Sequence, residues 1–273
     1  MFNLLMMNTK PLILVFFAFL LANTSIQAQK AFSQEAGVIL GPIQFRGDYG
    51  LAGESETNYG NLGFGFGVVH YINFAYNQRR GSYVRASEYL KDHFKIRSEI
   101  NFFTAKLNHF GKIKDDQIAD PTQANTLDEM EGDARVFEIG TGFEYFPLSI
   151  VDFELGYTRF APYAGFNVHY ATYNSNSSSS LGDLDIAQQE GDEDILFGTF
   201  IGGLDNTGGS TYSLVFNAGT RYRIGETSDL LIDFRFIYYG TDLLDGLEPV
   251  GPQNQDNDWI TWLNVGYIYY FDL

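Results

Sequence analysis
The run Leu263-Asn264-Val265-Gly266-Tyr267-Ile268-Tyr269-Tyr270-Phe271-Asp272-Leu273, at the end of the chain, decides the fold. Successive side chains of a strand point to opposite faces. Leu263, Val265, Tyr267, Tyr269, Phe271 and Leu273 therefore share one face, opposite Asn264, Gly266, Ile268, Tyr270 and Asp272. One face is apolar throughout and the other is mixed, the pattern of a strand with its apolar side turned outward.

Working backward, the same alternation recurs. Leu230, Ile232, Phe234, Phe236 and Tyr238 alternate with Asp233, Arg235 and Ile237, and Leu214, Phe216, Ala218, Thr220 and Tyr222 with Asn217, Gly219, Arg221 and Arg223. Phe137, Ile139, Thr141, Phe143 and Tyr145 oppose Glu138, Gly140, Gly142 and Glu144, while Phe94, Ile96, Ile100 and Phe102 oppose Lys95, Arg97, Glu99 and Asn101. Glu35–Phe45, Gly63–Phe74 and Arg159–Asn174 complete a set of eight, the first being the least regular. Each segment has about 10 to 15 residues, enough to cross a bilayer when tilted. The fold class is all-β: a closed antiparallel up-and-down transmembrane β-barrel of about eight strands. Closure removes the sheet edges that lipid cannot satisfy.

Composition agrees. The chain of 273 residues has 17 Lys+Arg against 34 Asp+Glu, a formal charge of −17, no cysteine, 16% aromatic residues and 29 glycines. Without cysteine there is no disulfide framework, thiolate metal site or cysteine nucleophile. So acidic a chain gains nothing from the counterion release that drives nucleic-acid binding, so no nucleic-acid partner is expected. At the N-terminus, Lys10 precedes an apolar run from Pro11 to Ala22, then Asn23-Thr24-Ser25-Ile26-Gln27-Ala28. This reads as a signal peptide, residues 1–28, cleaved after Ala28. It leaves a single barrel domain, residues 29–273.

With the N-terminus in the periplasm, the external connections are residues 46–62, 111–134, 175–210 and 242–257. The periplasmic ones are 75–93, 147–158 and 225–229. Three external loops hold most of the free acid, including Asp128, Glu129, Glu131 and Asp133, then Asp192, Glu193 and Asp194, then Asp242, Asp245, Glu248 and Asp256. Clustered carboxylates suit hard cations, but Asp192-Glu193-Asp194 and Asp256-Asn257-Asp258 lack EF-hand spacing and read as solvated surface, so no metal is expected. The Ser177–Ser180 run reads as a flexible loop tip, and Ile195–Gly203 as either loop or an extra strand segment above the membrane. Arg79, Arg80, Arg85 and Lys91 around Val84, Tyr89, Leu90 and Phe94 suggest a short amphipathic helix at the inner leaflet or a docking surface for a periplasmic partner. Gly63, Gly65 and Gly67 form no phosphate loop and make room for bulky lumen neighbours.

On the inward face the alternation collects Lys95, Arg97, Glu99, Glu138, Glu144, Arg221, Arg223, Asp233 and Arg235, a near-balanced charge set. Eight strands leave an interior just wide enough for side chains. The set therefore reads as a structural charge network that plugs the barrel, and its near balance argues against a sign-selective pore. His169 shares the inward parity; His70 lies on the apolar parity, at odds with the register read for its strand. No Ser, His and Asp arrangement has a local signature, and neither a catalytic residue nor a cofactor is expected. A rim pair of His109 with Asp115 or Asp116 is the nearest approach to a catalytic site.

The signal segment ending Gln27-Ala28-Gln29, the strand Glu35-Ala36-Gly37-Val38-Ile39-Leu40-Gly41, the entry Arg159-Phe160-Ala161-Pro162-Tyr163-Ala164-Gly165 and the terminal Gly266-Tyr267-Ile268-Tyr269-Tyr270-Phe271 together resemble the small outer-membrane β-barrel proteins of Bacteroidota, of the OmpA, OmpX and OmpW type. The alternating terminal residues Leu263, Val265, Tyr267, Tyr269, Phe271 and Leu273 resemble their C-terminal assembly signal. The resemblance implies location in the outer membrane, with outer-membrane lipid, the barrel-assembly machinery and an envelope protein complex as partners. Its motifs specify the barrel and not an activity; the role expected is non-enzymatic, structural or accessory, with acidic loops presented externally, and a narrow solute channel and a rim-sited enzyme are the alternatives.

Overall fold
The computed structural model describes residues 32–50, 55–74, 86–110, 121–250 and 256–271. Eight antiparallel strands close on themselves in sequence order. They are β1 (Ser33–Arg46), β2 (Leu62–Asn73), β3 (Phe94–Asn108), β4 (Met130–Tyr145), β5 (Phe160–Ser179), β6 (Gly209–Arg223), β7 (Ser228–Tyr239) and β8 (Trp259–Tyr270). The seam joins β1 to β8, from Glu35 opposite Tyr270 to Arg46 opposite Trp259. No helix among the described residues is long and apolar enough to span a bilayer.

Polarity is inverted relative to a water-soluble barrel. The outer wall is an apolar belt that includes Val38, Leu40, Phe66, Val68, Phe102, Ile139, Phe143, Val168, Phe216, Ile232, Phe234, Leu263 and Val265, all exposed. Lys95, Arg97, Glu99, Glu138, Glu144, Arg221, Asp233 and Arg235 are buried within. A charged lumen inside an apolar wall is the arrangement of a transmembrane barrel. On β8, Leu263, Val265, Tyr267, Tyr269 and Phe271 face outward; Leu273 lies outside the described residues, as do the signal segment 1–28, Arg79, Arg80, Arg85, Asp115 and Asp116.

Among the described residues, five short helices decorate the barrel ends: α1 (Ser55–Asn58), α2 (Ala86–His93), α3 (Pro121–Asp128), α4 (Ile150–Glu154) and α5 (Leu184–Glu190). Where sequence and structure part, hydrogen bonding explains why. Ser177 to Ser179 are not a loop tip: they continue β5 and pair with Gly132, Glu131 and Met130 of β4. Ser177 faces inward, where the Tyr49 hydroxyl donates to its Oγ at 2.8 Å. The β4–β5 hairpin accordingly stands above the apolar belt, with Glu131, Asp133 and Arg135 exposed outside and Met130, Ala134 and Val136 buried inside. The two external connections beside this hairpin shorten to match, β4 beginning at Met130 and β6 at Gly209. Residues 195–203 carry no strand; they hold a 3-10 turn, Gly198–Phe200. His70 faces outward at the turn end of β2, beside Gln34 at 3.3 Å, so the register stands and a polar residue simply occupies the rim.

Candidate functional site: a sealed, charge-filled lumen
Starting at the end that bears the short turns, Glu35 on β1 takes Lys95 of β3 at 2.6 Å and is bonded to Arg221 of β6. Asp229 accepts from Tyr270, and Glu154 from Asn73. Glu154 comes from α4, which turns Ile150, Phe153 and Glu154 inward beneath the barrel and is started by the Ser149 hydroxyl accepting from Asp152 N at 3.1 Å. At mid-height Arg97 bridges Glu99 and Glu144, both at 2.7 Å, and reaches Asp233 at 3.3 Å. Arg235 joins Asp233 at 2.8 Å to Glu99 at 2.9 Å and lies 4.8 Å over the Trp262 ring. His169 sits between Glu99 and Glu138, one ring nitrogen 2.9 Å from each, and Ser213 donates to Glu138 at 3.0 Å. These ions are linked across six strands rather than as isolated pairs.

Arg223 does not join them. It lies at the rim, half-buried, and donates to the carbonyl oxygens of Phe153 and Glu226. Glu35, Glu154 and Asp229 take part instead, although alternation did not single them out. Carboxylates (Glu35, Glu99, Glu138, Glu144, Glu154, Asp229, Asp233) therefore outnumber cations (Lys95, Arg97, Arg221, Arg235), where the sequence suggested near balance.

Nor is the lumen polar to the top. Above the ions most inward positions are apolar, among them Ile43, Phe45, Phe103, Leu107, Val136, Ile237 and Trp262, with Ser175, Ser177 and Tyr239 interspersed, all buried. Gly65 makes this possible, since a Cβ there would lie 2.7 Å from the Trp262 ring. This apolar layer is continuous with a cap formed by the loops, in which Leu127, Leu184, Ala187, Leu196, Phe200, Leu204, Leu244 and Leu247 are buried in the same cluster. Backbone bonds fix the cap: Glu248 N to Gly203 O, Asp205 N to Gly246 O and Val250 N to Thr199 O. Gln188 of α5 both accepts from Leu204 N and donates to Leu204 O. His109, the rim candidate, is an aromatic element of this cap, buried with ring centroids 4.8 Å from Tyr49 and 5.8 Å from Phe200. No group of three His, Cys, Asp or Glu among the described residues is placed to hold a metal ion. Asp192 closes a local turn by accepting from Asp194 N, and Asp258 is fully buried rather than solvated.

A Cβ on Gly140 would overlap His169 Cδ2 and the Val168 carbonyl oxygen. Because backbone cannot yield there, Gly140→Ala should displace the imidazole from its two glutamates and destabilise the barrel by about 1–3 kcal/mol. The urea midpoint of the refolded variant measures it.

No protein-family model matches the chain, and no curated protein matches it either. Among solved structures, Neisserial surface protein A is similar over 89% of this chain and 98% of its own, at 11% identity and a TM-score of 0.42. OprG from Pseudomonas aeruginosa is similar over 90% and 99%, at 13% identity and 0.41. A major outer membrane protein from Thermus thermophilus is similar over 87% and 99%, at 12% identity and 0.43. The fold assignment rests on the barrel's own closed register and inverted polarity, not on these likenesses.

Proposed function
We propose that this chain is an integral outer-membrane barrel with a non-enzymatic structural or accessory role, whose lumen is a plug and whose outer cap is the surface it presents. The signal segment 1–28 directs export, the terminal strand serves the barrel-assembly machinery, and an envelope protein complex is the partner class for the cap. The observation that carries this reading is the apolar layer from Ile43 to Trp262 and the leucine-rich cap above it. An ion leaving the charged layer would have to cross a narrow, closely packed zone lined mainly by apolar side chains, at a cost of several kcal/mol. Excess carboxylate in the lumen is the observation on the side of a cation path.

Single-channel recording of the refolded mature protein in a planar bilayer separates the two. Wild type should be silent. A variant carrying Arg97→Ala and Arg235→Ala, which voids the charged layer, should leak irregularly. Discrete, reproducible steps in wild type would refute the plug and make the lumen carboxylates the next target.

A further inference from the structure
The helix α2 does not hang free below the barrel. Tyr145 and Phe94, at the turn ends of β4 and β3, share the parity of the outward-facing residues Phe143 and Phe102. The Tyr89 hydroxyl is hydrogen-bonded to the Tyr145 hydroxyl at 2.9 Å, and Tyr145 in turn packs on Phe94 with centroids 5.1 Å apart. The Tyr89 ring covers that of His93 at 4.1 Å, and His93 Nδ1 is 2.6 Å from the Phe146 carbonyl oxygen. Asp92 accepts from Val151 N at 2.9 Å, which ties α2 to α4. The helix is thus tied to the turn end of the outer wall through Tyr145 and to the segment beneath the barrel through Phe146 and α4. Leu90 is 60% exposed with Lys91 exposed beside it, and Tyr89, although bonded to Tyr145, keeps 46% of its surface exposed.

We propose that α2 is an interfacial anchor, seating Tyr89 and Leu90 among the headgroups and upper acyl chains of the phospholipid leaflet at the turn end, with Lys91 reaching the phosphates. This rests on the outer-membrane reading and deepens it by naming what covers those residues. Two observations choose lipid as the occupant. First, the exposed surface continues the apolar wall, whose neighbouring outward aromatics at the same end, Phe160 with Tyr222 and Tyr269 with Phe271, form further ring pairs. Tyrosine rings at this level, with an apolar body and a polar tip, are the residues that line membrane–water boundaries. Second, the sequence Tyr89-Leu90-Lys91 sets an apolar residue beside a cation on a long stem, which suits an apolar depth bordered by phosphate.

The absence of cysteine from the chain makes the test direct. Leu90→Cys and Lys91→Cys variants, each carrying a nitroxide, are refolded into phosphatidylethanolamine/phosphatidylglycerol vesicles beside Val168→Cys on the wall and Asp194→Cys in the outer loop. Accessibility to oxygen against a water-soluble nickel chelate reports depth. The Leu90 label should favour oxygen, between the two references and nearer Val168, with Lys91 shallower. A Leu90 label as open to nickel as Asp194 would overturn the anchor, and one shielded from both agents would show a protein surface covering it instead of lipid. If Val168 itself reads as aqueous, the membrane reading falls and the anchor with it. If only Leu90 does, the anchor alone falls.

Discussion

Arg97→Ala is expected to cost about 3–5 kcal/mol of barrel stability, the range for breaking a buried ion pair from one side. Arg97 is fully buried, holds Glu99 and Glu144 at 2.7 Å and Asp233 at 3.3 Å, and lies 5.5 Å from the Tyr71 ring. Once it is gone, Glu99 and Asp233 still have Arg235, but Glu144 keeps only a long contact to Arg221, at 3.9 Å, and the Tyr71 hydroxyl, at 3.5 Å. The loss is therefore dominated by a stranded carboxylate, not by the missing attraction. Urea unfolding of the protein refolded in vesicles should show a lowered midpoint with unchanged slope. The double variant Arg97→Met with Glu144→Gln should regain part of the loss because it removes the stranded charge too. Arg223→Ala, which gives up two bonds to rim carbonyls, should cost no more than about 1–2 kcal/mol. If Arg97→Ala cost as little as Arg223→Ala, the lumen would be wet and its pairs screened.

The contrast between those two arginines also marks how far the sequence could be read. Both lie on the inward parity, and period-two alternation separates faces but says nothing of height within the barrel. Arg223 is the last residue of β6, where the wall ends and carbonyl oxygens of α4 and the turn lie within reach. Asp229 was legible in principle, since it continues the parity of Asp233 and Arg235 by two more steps toward the turn. Glu35 was masked because β1 has Val38, Ile39 and Leu40 in succession, so apolarity there does not alternate. Glu154 carries no periodic signal; it reaches the lumen from a turn helix, and only the closed barrel brings it to Asn73 and Lys95.

The apolar upper lumen escaped for a related reason. Where loops exclude water, both faces of a strand become apolar, as with Phe102 beside Phe103 and Phe236 beside Ile237, and polarity no longer distinguishes inside from outside. Long loops that looked solvated from their acid content carry that cap on sparse leucines and phenylalanines: Leu196, Phe200, Leu204, Leu244 and Leu247. Their spacing follows no repeat, so the cap had no signature. The strands were legible because lipid on one side imposes a strict period over the whole belt.

The cap should loosen as pH rises. Its acids meet where the β1–β2 and β7–β8 loops cross. Asp245 accepts from Asp48 N at 2.6 Å and Leu247 N at 2.9 Å, and Asp258 from Leu244 N at 2.8 Å. A Cβ on Gly47 would overlap both Asp245 Oδ2 and Asp258 Oδ1, so these two buried oxygens converge over the bare glycine. Burial, then the Asp245, Asp242 and Glu248 carboxylates, push Asp48 up to about 10. Burial pushes Asp245 up to about 7, against the pull of the Leu247 and Asp48 amides. Burial with Asp245 and Asp48 nearby carries Asp258 well above the carboxylate range. Each group binds its proton more tightly in the closed cap than in an open, solvated one, where aspartate titrates near 3.9. Linkage then makes closure fully stable below about pH 4 and progressively weaker as pH rises through 7. Amide exchange at Leu244 and Leu247, which donate to these carboxylates, should accelerate between pH 5 and 8 by at least about tenfold beyond the intrinsic base-catalysed rise, one pKa unit of linkage being a factor of ten. Asp258→Asn should weaken that response while keeping the cap closed, because it removes one of the buried titrating carboxyls at nearly unchanged side-chain size. Protection that simply tracks the intrinsic rate in wild type would mean the cluster holds no protons in the closed state.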